Sequence, residues 1–115
     1  MLDFIKNIFS KPANYTKLSS EEFEKALITA KKHIILDVRH KHEFDAEKIH
    51  NALNMDIRMP TFKDKMKHYD TKKAYYVYCQ SGARSTKACR ALDELGFEKL
   101  FHLEGGLNKY EGKTV

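Results

Sequence analysis

A cysteine, a glycine, an arginine and a serine fall within the seven residues Cys79-Gln80-Ser81-Gly82-Ala83-Arg84-Ser85. The run follows the β-like stretch Ala74-Tyr75-Tyr76-Val77-Tyr78. It opens a helical pattern in which Ala88, Ala91, Leu92 and Leu95 recur three and four residues apart. A thiol is therefore expected between a strand end and a helix start. Such a turn aims successive backbone N–H groups, and the positive end of the helix dipole, into its hollow, which then favours an anion. The same partial charges, with Arg84 close by, favour thiolate over thiol for a cysteine at the lip of that hollow. The chemistry expected is nucleophilic attack by sulfur. A packed cysteine is the ordinary alternative at a strand end, but it has no use for a flexible, donor-rich turn.

The elements that must hold this loop lie on both sides of it. The helix after the cysteine is expected over residues 84–95, with Gly96 as its C-terminal cap, and a last strand over 99–103. Glu104-Gly105-Gly106 then reads as a turn with unusual backbone angles, before a short closing helix over 107–110. Upstream, Ser19-Ser20-Glu21-Glu22 fits a capping box that starts a helix carrying Phe23, Ala26, Leu27 and Ala30 on one face. Ile34-Ile35-Leu36 is almost free of polar interruption, as in strands buried on both faces of a parallel sheet. Asp37-Val38-Arg39 follows directly, where the strand leaves the core, and its charges read as an ion pair bracing that loop. A short helix is expected over 40–48 with Phe44 as its anchor, and an irregular or briefly extended stretch over 49–57. A second helix over 59–69 would turn Met59, Phe62, Met66 and Tyr69 toward the core, with Pro60 in its first turn. The alternation of helix and strand predicts an α/β fold: a central, mainly parallel sheet with helices on both faces and Cys79 on the edge formed by the strand C-termini.

Size and composition bound the possibilities. The chain of 115 residues is expected to form one domain over 13–115, preceded by a short amphipathic helix over 1–12. That segment sets Leu2, Ile5, Ile8 and Phe9 on one face before Ser10-Lys11-Pro12; packing on its own domain is favoured over a membrane surface or a partner. The net charge of +5 comes from interleaved acids and bases, which argues against nucleic acid and suits a small anionic substrate. Cys79 and Cys89 match no metal-ligand spacing, and the six histidines form no paired motif, so no metal or organic cofactor is expected. Unpaired cysteines and the lack of a bilayer-length apolar run point to a reduced, cytoplasmic setting. Cys89 reads as a packed thiol, His40 and His42 as parts of a solvated loop, and Arg58, Lys87 and Arg90 as solvated charges.

Three pieces together resemble a single-domain rhodanese, over most of the chain from Ser19 to Gly106: Asp37-Val38-Arg39 with Glu43-Phe44, the loop from Cys79 to Ser85, and Leu103-Glu104-Gly105-Gly106. The resemblance implies a sulfurtransferase in which Cys79 becomes a persulfide. A sulfane sulfur would come from a small anionic donor such as thiosulfate, or from a persulfide carried by a protein or small molecule. It would pass to cyanide or a thiol, with a sulfur-relay protein as a further partner. It also implies that Gln80, Ser81, Gly82, Ala83 and Arg84 form a backbone cradle for the terminal sulfur, and that the Arg84 side chain attracts the donor. Ser85 either adds a hydroxyl to the cradle or caps the helix. Asp37 and Arg39 carry over as loop-bracing residues.

A cysteine-dependent phosphatase resembles the same fold and is the main rival, with a non-catalytic interaction module as the other. Tyrosine phosphatases place five residues between cysteine and arginine, whereas this loop has four, a tighter hollow better suited to one sulfur than to a phosphate. Asp45 and Asp56 are the available candidates for an acid in such a reaction. Where many rhodaneses read Gly-His-Ile-Pro-Gly-Ala, this chain has Glu47-Lys48-Ile49-His50-Asn51-Ala52, so the turn must be built differently, with Asn51 a candidate for left-handed backbone. Leu107 stands where the family often has tryptophan.

Overall fold

The computed structural model describes residues 13–115; the expected amphipathic segment lies outside them. Five strands, β1 (Thr16–Leu18), β2 (His33–Asp37), β3 (Leu53–Asn54), β4 (Ala74–Tyr78) and β5 (Lys99–Leu103), form one sheet in the order β1-β5-β4-β2-β3. Every neighbouring pair is parallel, with β2 and β4 in register through Ile35↔Tyr76 and Asp37↔Tyr78. The α/β architecture expected from the alternation of elements is thus present.

The strands alternate faces with period two, and each face is covered. Leu36, Val38, Tyr75, Val77, Cys79 and Leu100 pack with Phe62, Met66, Ala88, Cys89 and Leu92 from α3 (Phe62–Met66) and α4 (Ala83–Glu94). On the opposite face Ile35, Tyr76, Tyr78 and Leu103 pack with Phe23, Ala26 and Leu27 of α1 (Ser20–Thr29) and with Leu107 of α5 (Gly106–Lys109). The capping box at the start of α1 is complete: Ser19 Oγ accepts from the Glu22 N–H, and Glu22 Oε1 accepts from the Ser19 N–H at 2.8 Å. Among the described residues no helix is long and apolar enough to cross a membrane.

Three expectations are corrected. The segment 59–69 is helical only over Phe62–Met66, and Met59 is half exposed rather than part of the core. Pro60 disfavours helical backbone in the residue before it, so Met59 sits in a turn, its carbonyl accepting from the Phe62 N–H. Thr16–Leu18, where the sequence suggests no element, is an edge strand on β5. His40 is half-buried, not solvated: it caps the start of α2 (Lys41–Ala46) and lies between Asp56 and Arg58.

The departing turn is built as its residues permit. Asn51 adopts φ 67°, the left-handed region that asparagine tolerates best among residues with a side chain. The Ile49 N–H donates to the buried Tyr78 hydroxyl at 3.1 Å, and Lys48 pairs through its backbone with Val115.

Candidate active site

The crossover after β4 runs to β5 on one side and the chain after β2 runs to β3 on the other. Their C-terminal ends therefore diverge into the crevice where open α/β sheets bind ligands. Cys79 and the pair Asp37 and Arg39 stand at those two ends. The loop reaches α4 through Gly82, whose φ of 108° requires glycine, and the first helical turn begins at Ala83.

Among the described residues, the donors to Cys79 Sγ are two backbone groups: the Gly82 N–H at 3.0 Å and the Ser85 N–H at 3.3 Å. The Cys79 thiol lies 3.4 Å from Ser85 Oγ, whose own hydroxyl donates to the Gly82 carbonyl at 3.1 Å. Of the two options left open for Ser85, the hydroxyl therefore lies beside the sulfur, and Gly82 occupies the cap position. The sulfur is not at a lip: Cys79 is fully buried, while Ser81 and Ala83 are exposed on the outer side of the loop. Two N–H groups and a helix N-terminus converging on one buried sulfur stabilise negative charge there.

Gln80 braces the loop. Gln80 Oε1 accepts from Arg39 Nη1 at 3.1 Å, and Gln80 Nε2 donates to Asn108 Oδ1 at 2.7 Å. The first N–H groups of α5 donate to the loop from the other side, Leu107 to the Cys79 carbonyl and Asn108 to the Gln80 carbonyl, each at 3.0 Å. Thus α5 is tied down by backbone bonds, with Leu107 partly buried where the family often has tryptophan. A Cβ on Gly106 would lie 2.5 Å from the Cys79 and Gln80 backbone, so glycine is what lets the two segments approach.

Asp37 and Arg39 form a buried, forked ion pair with Arg39 Nη2 2.7 Å from Asp37 Oδ2, and Nη2 also donates to the Glu47 carbonyl at 2.5 Å. Burial alone would lower the Arg39 guanidinium, but the hydrogen bonds and charge of Asp37 outweigh it and hold it above its ordinary value. This pair fastens β2, the Cys79 loop and the turn at Glu47 together.

Arg84 is held by Glu43 of α2 at 2.7 and 2.9 Å, a two-pronged contact at the rim. The hydrogen bonds from Arg84 hold the Glu43 carboxyl at about 2, and Glu43 in turn raises the Arg84 guanidinium. Asp56 adds to that field. Arg58 Nη1 lies 2.6 Å from His40 Nε2 and must donate to it, so the His40 proton sits on Nδ1, facing Asp56 Oδ2 at 2.5 Å. Cys89 is a packed thiol, pushed up to about 12 mainly by burial. Burial likewise pushes up the Tyr78 hydroxyl.

Two contacts carry no signal in the local sequence pattern. Glu43 pairs with Arg84 across 41 residues, and His102 of β5 sits beneath the loop with Nε2 3.1 Å from the Gly82 carbonyl.

A family model described as Rhodanese-like domain matches residues 19–113. YtwF of Bacillus subtilis, which bears a sulfurtransferase name, is 40% identical over 80 residues, covering 70% of this chain and 75% of that protein. The tRNA uridine(34) hydroxylase of Buchnera aphidicola is 31% identical over 114 residues, covering 94% of this chain but 35% of that protein. This chain therefore spans about a third of that relative. The crystal structure of a rhodanese-like domain protein from Staphylococcus aureus superposes with a TM-score of 0.73 at 27% identity, covering 84% of this chain and 94% of that one.

Proposed function

The chain belongs to the rhodanese-like domain family, and from that membership we propose that it is a sulfurtransferase working through a Cys79 persulfide. The observation that carries the reading is the convergence of the Gly82 and Ser85 N–H groups on Cys79 Sγ. The sulfurtransferase name of YtwF supports it.

In the first step the Cys79 thiolate attacks the outer sulfur of thiosulfate. A new S–S bond forms, the bond to the sulfonate sulfur breaks, and sulfite leaves with its electron pair. In the second step cyanide or a thiolate attacks the terminal sulfur of the persulfide, and the pair returns to Cys79 Sγ. The Gly82 and Ser85 N–H groups hold the charge on the sulfur in both steps, as an oxyanion hole does for oxygen. Because Cys79 has no exposed surface, the sulfur must be uncovered before the donor reaches it. Arg84 and Arg58 supply positive charge at the rim for an anionic donor. A protein persulfide is an alternative donor, and cytoplasm is the setting that keeps both cysteines reduced.

Phosphate-ester hydrolysis fits less well, since only four residues separate Cys79 from Arg84, a loop tighter than the five-residue spacing of tyrosine phosphatases. Hydroxylation of tRNA uridine would rest on a relative's name alone, and that relative is about three times as long as the matching part.

Intact-mass measurement after thiosulfate treatment tests the proposal. One added sulfur is expected in the wild type and none in Cys79→Ala. A gain that survives the substitution, or turnover of an aryl phosphate without any persulfide, overturns it.

A further inference from the structure

We propose that His102 is a positioning residue of the cysteine loop: its neutral imidazole donates from Nε2 to the Gly82 carbonyl and so keeps the Gly82 N–H against the Cys79 sulfur. Its consequence for catalysis rests on the sulfur-transfer reading.

His102 projects from β5 beneath the first turn of α4 and is 4% exposed. The Gly82 carbonyl only accepts, so the imidazole proton sits on Nε2, at 3.1 Å, and Nδ1 carries a bare lone pair. Nδ1 is buried and has no hydrogen-bond partner among the described residues. Leaving a buried acceptor unpaired is unfavourable. Stability alone therefore gives no reason for an imidazole here, and an aliphatic side chain would fill the place without that cost.

What the imidazole does supply is a tether from the sheet to the loop. The Gly82 carbonyl also accepts from the Thr86 N–H at 3.1 Å, Thr86 Oγ1 at 2.8 Å and Ser85 Oγ at 3.1 Å, all from α4 itself. His102 donates from a different element and ties the carbonyl to β5. At φ 108° Gly82 turns its carbonyl toward His102 and its N–H toward Sγ, so the residue that donates to the sulfur is itself fixed to the sheet through its carbonyl. The ring also packs on Gly82, where an added Cβ would stand 3.6 Å from Nε2.

The surroundings keep the ring neutral. Lys17 faces it from β1 and disfavours a second proton, Glu104 after β5 partly offsets that, and the Tyr15 ring meets it edge-on at 5.9 Å. Thr86 closes the α4 side with Oγ1 3.5 Å from Nε2. Burial is the largest influence and lowers the imidazole from its ordinary value, outweighing the bond to the Gly82 carbonyl, which works the other way.

The test compares His102→Leu, which removes the donor and the unpaired nitrogen together, with His102→Gln, whose amide N–H can stand at the Nε2 place. Iodoacetamide labelling is scored on the Cys79 peptide at neutral pH, beside persulfide formation from thiosulfate and urea unfolding. His102→Leu is expected to slow both reactions about tenfold, as expected for a weakened hydrogen bond to a charged sulfur. Its urea midpoint should equal or exceed that of the wild type, and His102→Gln should react within about twofold of it. Should His102→Leu not fold, His102→Asn, too short to reach Gly82, takes its place with the same expected loss of rate. Wild-type labelling in the Leu or Asn variant, or slowing that follows stability and is not rescued by Gln, overturns the proposal. Labelling needs no sulfur donor: a wild type that forms no persulfide but shows the labelling difference rejects sulfur transfer and leaves the positioning role standing.

Discussion

Arg84 meets Glu43 through two hydrogen bonds of 2.7 and 2.9 Å, so the arginine that ends the cysteine loop is already holding a carboxylate. Both side chains are about one-fifth exposed, at the rim of the crevice and not within the core. An anionic donor that uses Arg84 must compete with that internal carboxylate.

Glu43→Gln should therefore improve donor capture. Glutamine keeps an oxygen to accept from the guanidinium while the competing charge is gone. An exposed charge of this kind is worth about 1 kcal/mol, so the KM for thiosulfate should fall roughly fivefold at low ionic strength, and less in high salt. Steady-state kinetics at two salt concentrations decide it; an unchanged or raised KM would mean that Arg84 does not meet the donor.

The same pair and His102 set the response to acid. Glu43 is depressed to about 2 in the folded chain, so its contribution is complete above its ordinary 4.5 and is lost as the pH falls from there through about 2. His102 is depressed below its ordinary 6.5 because the folded state disfavours the second proton; the unfolded chain binds it more readily, and stability falls as the pH drops below about 6.5. Urea midpoints measured against pH should show two descending limbs. Glu43→Gln should flatten the more acidic one, and His102→Leu the one nearer neutrality. Identical profiles for both variants and the wild type would exclude these groups as the cause.

Asp37→Asn should be severe because Arg39 would keep its charge in a buried place without a carboxylate. Breaking a buried pair by removing one partner costs about 3–5 kcal/mol. The pair has 0% and 3% side-chain exposure, and Arg39 also carries bonds to Gln80 and Glu47, so a loss of that size should come with a loosened loop. Chemical denaturation measures the first effect and Cys79 labelling the second; a loss under about 1 kcal/mol would show that water or a rearranged Arg39 compensates.

How much of this was legible in the sequence follows from how local each feature is. The capping box at Ser19, the unbroken Ile34-Ile35-Leu36, the cysteine loop and the double glycine after Leu103 each announce themselves within a few residues, because capping, burial and positive φ act within a few residues. The role of Met59 was hidden because the helical spacing of its neighbours continues through a proline that backbone sterics do not allow the helix to cross. β1 was hidden because a three-residue edge strand has one apolar side chain and takes its register from β5. Glu43 on Arg84 and His102 on Gly82 are pairings between elements 41 and 20 residues apart, which no spacing within either element encodes.

Gly106→Ala should separate loop geometry from general stability. The new Cβ would stand 2.5 Å from the Cys79 carbonyl and from Gln80, both backbone, and φ is 59°, so loop and helix must move apart. Gly96→Ala is the matched comparison: φ is positive there too, at 92°, but nothing lies within 4 Å of the added carbon. Strain alone should cost Gly96→Ala about 1–2 kcal/mol with sulfur transfer intact. Gly106→Ala adds the clash, for about 2–5 kcal/mol in all. A displacement of about 1 Å at the loop should lower sulfur transfer on the order of a hundredfold. Thermal unfolding and persulfide yield measured on both proteins give the comparison. Equal sulfur transfer in the two variants would show that the contact of α5 with the cysteine loop does not position the sulfur.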